Sequence, residues 1–288
     1  MDAVKRAKQY QDAGYRIVID MDLSKYFDEF PHQRLMSRIM SKTPGEWEIH
    51  KLLHQYLLAG MMKDGIIEEG EKGTPQGSPA IPLLSNIVLD ELDKELEKRG
   101  RRPVRHADDC NIYVKTRRAG ERAFASIQHF IEHKMRLKVN KDKSKVDRPV
   151  KRKFIGFSFY YKKGCMGIRV APKSVERLKA TIKGLFKQGR GSHIPVFIFT
   201  KLNPVIRGWF NYYRPSDMKT IAKELDERIR HRLRNILWRQ WKRNWTRFTN
   251  LRKAGLSEEH AARSAFNQRG PWFNSGASHL FGIPQEIL

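Results

Sequence analysis

Between residues 82 and 98, Leu84, Ile87, Val88, Leu92 and Leu96 recur at helical spacing, and Gly100 suits the end of a helix. Upstream, residues 2–13 predict a short helix closed by Gly14, and "YRIVIDMDL" (15–23) predicts a strand. Residues 32–41 and 45–59 predict two more helices. "GMMKDGIIEE" (60–69) predicts a hairpin turned at Asp64-Gly65, followed by the Gly/Pro-rich loop 70–79. Two short strands flank Asp108-Asp109, a helix covers about 119–136, and strands fall near 144–147, 154–160 and 167–170. This order describes an α+β unit with an antiparallel sheet.

The pattern changes near residues 165–172. Residues 174–188 and 195–212 predict helices, and 219–247 predict one long helix with Ile221, Leu225, Ile229, Leu233 and Leu237 on one stripe. Arg228, Arg230, Arg232, Arg234, Arg239, Lys242 and Arg243 fill much of its remaining surface. The aromatics Trp209, Phe210, Tyr212 and Tyr213 fit either a helical core or base stacking.

Charge turns this outline toward a polyanionic partner. The 288 residues hold 57 Lys+Arg against 31 Asp+Glu, a net charge of +26. The excess is uneven: residues 161–288 hold 26 basic and 8 acidic residues, net +18, against +8 in the first 160. The two cysteines, Cys110 and Cys165, lack metal-ligand spacing, which argues against a zinc site or a disulfide framework. No apolar run is long enough to span a membrane, so a cytoplasmic protein is expected.

The acidic residues are concentrated where chemistry needs them. In "RPVRHADDCNIYVK" (102–115), Asp108 and Asp109 stand together between apolar flanks, which makes ionising both costly without a counter-charge. A divalent metal such as Mg²⁺ supplies one through hard oxygen ligands, and two such ions can stabilise the attacking and leaving oxygens of a phosphoryl transfer. Asp20 and Asp22 in "VIDMDLSKYFDEF" (18–30) are two apart and share one side of a strand. If that strand lies beside the 104–114 hairpin, the carboxylates converge. "TPQGSP" (74–79) offers close backbone approach at Gly77 and a hydrogen-bonding side chain at Gln76. "LKVNKDKSKV" (137–146) places Lys143 on a loop, where a cation could neutralise or protonate a leaving pyrophosphate.

Taken together and in order, these stretches resemble the reverse transcriptase and maturase proteins encoded by bacterial group II introns. "GYRIVIDMDLSKYFDEFPHQRL" looks like the first palm motif, and "GTPQGSPAIPLLSNIVLDELDKELEKRG" like the template-contacting motif and helix. "VRHADDCNIYVK" looks like the Tyr-Ala-Asp-Asp motif, and "LKVNKDKSKV" with "RKFIGFSF" like the lysine motif and primer grip. "LNPVIRGWFNYYR" looks like the thumb, and "GPWFNSGASHL" like a segment near the family's C-terminus. The resemblance implies a right-hand polymerase palm over 1–168 and an all-α basic thumb or maturase domain over 169–288.

It also implies roles. Asp22, rather than Asp20, would join Asp108 and Asp109 in holding two Mg²⁺ ions, with Lys143 at the leaving group. Phe27 would exclude a 2′-OH, and Gln76, Gly77, His106 and Ala107 would contact template or incoming nucleotide. Arg228, Arg232, Arg239, Lys242 and Arg243 would bind RNA. The partners would be group II intron RNA, an RNA template, a DNA primer and deoxynucleoside triphosphates.

Several positions depart from the family pattern. His106 stands for its tyrosine, Ala80 and Ile81 for Leu and Ser, and Phe30-Pro31 for a β-branched residue and Asn. The family also carries a fingers region ahead of the first palm motif, for which residues 1–14 are too short. Three readings follow: an RNA-directed DNA polymerase of group II intron type, a splicing maturase that binds RNA without polymerising, or an inactive truncated remnant.

Overall fold

The computed structural model describes residues 2–23, 31–59, 61–63, 66–68, 80–107, 109–162 and 164–276; for 61–63 and 66–68 it describes the main chain. The chain divides into two compact units, Met1–Ile168 and Arg169–Leu288.

In the first unit, α1 (Asp2–Asp12) leads into β1 (Ile17–Met21), whose β-branched apolar run favours a buried central strand. Helices α2 (His32–Lys42) and α3 (Trp47–Leu58) follow, then the antiparallel pair β2 (Met61–Lys63) and β3 (Ile66–Glu68). That pair lies where the hairpin is predicted; its Asp64-Gly65 turn lies outside the described residues. Next come α4 (Ile81–Lys98), β4 (Arg102–His106), β5 (Asp109–Val114), α5 (Arg117–His129) with a π-type turn at 130–134, and β6 (Lys145–Asp147). Gly100 adopts φ +62°, which ends α4 and lets the Arg101 N–H reach the Leu96 carbonyl at 2.9 Å. The Thr116 hydroxyl caps α5 by accepting from the Ala119 N–H.

These strands form one antiparallel sheet in the order β4-β5-β1-β6. Its central pair matches Ile17 with Val114 through to Met21 with Cys110. Side chains alternate, so each face has its own set. Ile19, Met21, Cys110, Ile112 and Val114 pack on α2, α4 and α5 in one core with Leu35, Leu92, Leu96 and Ile127. Each such buried aliphatic contributes about 1.5–3 kcal/mol. The opposite face carries Val18, Asp20, Asn111 and Tyr113, with the Tyr10 ring of α1 5.9 Å from Tyr113. A second sheet, β7 (Lys153–Phe154), β8 (Phe157–Lys162) and β9 (Cys165–Val170), follows. The Met166 N–H donates to Asp12 at 2.9 Å, tying β9 to the end of α1.

Gly120 marks where α5 presses on the sheet. A Cβ there would meet Val146 Cγ1 at 2.7 Å and Val114 Cγ2 at 3.3 Å. Both neighbours are β-branched and stiff, so neither yields cheaply. Gly120→Ala is expected to lower stability by about 1–2 kcal/mol, overpacking exceeding the gain in helix propensity. Urea unfolding midpoints measure this.

The second unit is helical: α6 (Pro172–Gln188), α7 (Ile194–Phe197), α8 (Asn203–Tyr213), α9 (Lys219–Gln240), α10 (Asn244–Lys253), α11 (Glu258–Ala265) and α12 (Pro271–Gly276). Leu225, Ile229 and Leu233 of the predicted stripe are buried against Leu178, Ile182 and Phe186, while Ile221 and Leu237 pack at the edge of the same core. Trp209 and Phe210 also pack on that core, and Tyr213 is buried, so most of this aromatic run is structural.

The long helix predicted over 219–247 is two helices. α9 ends at Gln240, and Arg243 is extended before α10 begins. The cause is a second small core in which the fully buried Trp238 meets Leu251, Ala261 and Ala265, with Trp241 packed beside it. A straight helix would carry residues 244–251 away from that core. The Arg247 Nε–H donates to the Trp241 carbonyl at 2.8 Å, and its guanidinium lies 4.8 Å from the Trp238 ring, which seals the turn. Lys242 and Arg243 therefore lie in a linking turn. Among the described residues, no helix is long and apolar enough to cross a membrane.

Candidate active site

Met21 and Cys110 are the last matched pair of β1 and β5. Asp22 follows Met21, and Asp109 precedes Cys110, so both stand at the same end of adjoining strands. Met21 and Cys110 face the helical core, and alternation turns Asp22 and Asp109 to the opposite face, with Asp20 and Asn111.

Asp22 is held by its main chain. Its carbonyl accepts from the Asn140 N–H at 2.9 Å, and its N–H donates to Ser144 Oγ at 3.0 Å. The Asn140 side chain caps the following turn through the N–H groups of Asp142 and Lys143. That turn delivers Lys143 Nζ to 3.4 Å from Asp22 Oδ2. The Lys143 side chain is 70% exposed, so it can move toward a bound anion.

Asp20 is engaged differently. Arg152 donates to its Oδ2 through Nε at 2.8 Å and Nη2 at 2.5 Å. The same Arg152 Nη2 donates to the Lys143 carbonyl at 2.8 Å, linking this ion pair to the lysine turn. Burial, the largest influence, raises the Asp20 carboxyl above its ordinary value; Arg152 opposes that shift, and the charge of Asp22 adds to it.

The hairpin between β4 and β5 pairs His106 with Asp109, and Ala107 follows His106 at its corner. Ala107 has φ +54°, a left-handed conformation that disfavours a Cβ and stores strain. Arg105 supports it: its Nη1 donates to the Ala107 carbonyl at 3.0 Å and to Asn86 at 2.9 Å, while Nε and Nη2 grip Asp93 on α4. These bonds brace the corner at Ala107, two residues before Asp109.

Of the residues predicted for chemistry, the fold gathers Asp22, Asp109, His106, Ala107 and Lys143 into the first unit. Asp108, Phe27, Gln76 and Gly77 lie outside the described residues. Arg228, Arg232 and Arg239 lie on α9 in the second unit. Among the described residues, no group of three His, Cys, Asp or Glu side chains forms a metal site. Asp22 and Asp109 nonetheless fit Mg²⁺ in chemistry, being hard-oxygen donors, and the main-chain bonds at Asp22 leave its carboxylate to meet the exposed Lys143 ammonium. Sequence reasoning missed Arg152, Asn140, Ser144 and Arg105. Asn140 and Ser144 lie within the lysine stretch, but nothing marks them as the anchors of Asp22.

Comparison with known proteins adds family information. Residues 2–159, more than half of the chain, match the model for reverse transcriptase (RNA-dependent DNA polymerase). Residues 175–255 match that for the group II intron maturase-specific domain. The Escherichia coli protein YkfC is 30% identical over a region covering 50% of this chain and 48% of that protein. The Lactococcus lactis group II intron-encoded protein LtrA is 34% identical over 32% of this chain and 15% of its own length. The chain thus spans less than half of these relatives. Among solved structures, apo telomerase from Candida tropicalis aligns at 13% identity over 88% of this chain and 45% of its own, with a TM-score of 0.49.

Proposed function

Because this chain belongs to the group II intron reverse transcriptase and maturase family, we propose that it extends a DNA primer on an RNA template and binds intron RNA through its second unit. The observation that carries the first part is the placing of Asp22 and Asp109 on one sheet face beside Lys143. In the reaction, the primer 3′-oxygen bonds to the α-phosphorus of a deoxynucleoside triphosphate while the bond to the departing pyrophosphate breaks. Asp22, Asp108 and Asp109 would hold two Mg²⁺ ions, which, when bound, neutralise the triphosphate and the developing charge. Lys143 offers its ammonium to the leaving pyrophosphate, and its exposed stem gives it the reach. Phe27 would sit beneath the sugar and reject a 2′-OH, while Gln76 and Gly77 would contact template and nucleotide. The braced corner at Ala107 supports a fixed position for Asp109, with the His106 ring across the strand pair from it.

The test is extension of a DNA primer on an RNA template by the whole chain with deoxynucleotides and Mg²⁺. Extension that is absent with Asp108→Ala supports the reading; no extension under any Mg²⁺ concentration contradicts it. A second reading, RNA binding without polymerisation, is favoured by the charge of the second unit and its maturase-specific match. Binding to structured RNA is expected to weaken about 10³-fold or more between 50 and 200 mM salt if roughly six phosphates are neutralised. Filter binding across that range measures it, and a flat response would remove this use of the charge.

A further inference from the structure

The second unit contains a cavity of about 480 Å³ between α6 and α9, with α12 at its edge. That volume falls within the range of small-molecule sites, roughly 300–1,000 Å³. Four cations line it: Lys183 and Lys187 from α6, Arg232 and Arg239 from α9. No acidic residue is among its described lining, so the cations repel one another unless an anion joins them. Asn235 lines the same space, and its Nδ2 is buried with no acceptor, while its Oδ1 accepts from Arg239. A donor left in that state costs free energy unless something pairs it.

The aromatic wall is Trp272. It lies in "GPWFNSGASHL", a stretch to which the polymerase reading gives no task. One side of its indole meets His231, with centroids 4.0 Å apart, and its carbonyl is 3.0 Å from His231 Nε2. The ring is thus fixed to α9, yet Trp272 remains 55% exposed. Across the cavity stands Gly184. Glycine inside a helix is unfavourable, and no close packing requires it, because a Cβ there would meet nothing within 4 Å. Its effect is to keep the opposite wall open.

A fixed, half-exposed indole and four cations together match a nucleotide: a base to stack and a phosphate to neutralise. We propose that this cavity receives a single unstacked nucleotide from structured RNA, its base on Trp272 and its phosphates between the α6 lysines and the α9 arginines. This rests on the RNA-binding reading of the second unit and sharpens it: the unit recognises a bulge as well as a backbone.

The experiment compares two RNA hairpins of equal length, one fully paired and one with a single unpaired uridine in its stem, by fluorescence anisotropy with the whole chain. The bulged hairpin is expected to bind about tenfold tighter, as one base–aromatic stack provides. Trp272→Ala, at a half-exposed position, should erase that preference while paired-hairpin affinity stays. Trp272→Tyr should keep most of it, and Gly184→Leu, which fills the cavity from the other wall, should also erase it. With 5-iodouridine at the bulge, photocrosslinks should fall on Trp272. Equal binding of both hairpins by the wild-type chain would overturn the nucleotide site and leave general RNA binding standing. A preference untouched by both Trp272→Ala and Gly184→Leu would do the same. Excess free uridine monophosphate should compete the preference away and leave paired-hairpin affinity in place; a preference unaffected by saturating uridine monophosphate would place the bulge elsewhere. Binding of neither hairpin would remove the RNA-binding reading and the site with it.

Discussion

Asp22→Asn is expected to slow primer extension by about 10³-fold, while the chain unfolds at an unchanged urea concentration. The substitution keeps the shape and removes the charge that would hold a metal, and metal stabilisation of transition-state charge is worth several kcal/mol. Stability should hold because Asp22 is fixed by main-chain bonds to Asn140 and Ser144, which the side chain does not make. Single-turnover rates at saturating primer–template separate the chemical step from binding. Asp20→Asn provides the contrast. Asp20 is two residues away on the same face, but its carboxylate is committed to Arg152, so extension should persist. Equal losses in the two variants would mean that the assignment between them is wrong.

Arg152→Met is expected to destabilise the first unit by about 2–3 kcal/mol, less than the roughly 3–5 kcal/mol of a fully buried pair, since the two side chains remain 24% and 19% exposed. It strands the Asp20 carboxylate and frees the Lys143 carbonyl. The double variant Asp20→Leu, Arg152→Met should recover most of the stability, because neither charge is then left alone. Extension should remain impaired in the double variant, since Arg152 also positions the lysine turn. Stability follows pH with a definite sign. Burial holds the Asp20 carboxyl above its unfolded value of 3.8, so the folded state favours its protonated form. Its contribution is therefore greatest below 3.8 and declines as pH rises through the folded value. Asp20→Asn should flatten that part of the profile in urea titrations.

The sheet was legible because "IVIDM" and "CNIYV" are short apolar runs rich in β-branched residues and bounded by polar ones, and their antiparallel pairing sets Asp22 and Asp109 at the same end of adjoining strands. Alternation puts Asp20 and Asp22 on one face, and the resemblance alone favours Asp22. What engages Asp20, Arg152, lies 132 residues from it. One basic residue among 57 carries no local mark of such a contact. The anchors Asn140 and Ser144 are hidden for the same reason. The break after Gln240 escaped because apolar residues at helical spacing continue through it, Leu237 to Trp241 to Trp245, with no Gly or Pro to mark a stop. The chain turns there to place Trp238 and Trp241 in a second core, a tertiary demand that periodicity cannot express. Trp272 is part of a recognisable stretch, yet its contact with His231, 41 residues away, emerges only in the fold.

Carboxylates at the end of β1 and β5 are proposed to hold the metal ions of nucleotidyl transfer, and a metal-specificity switch at Asp22 tests this most directly. A thiolate is a poor ligand for Mg²⁺ and a good one for softer ions. Primer extension by Asp22→Cys should therefore be lost in Mg²⁺ and regained when Mn²⁺ or Cd²⁺ is added, with the wild-type chain active in Mg²⁺ alongside. Undiminished extension by the cysteine variant in Mg²⁺, or no recovery with any softer ion, would contradict a metal at Asp22.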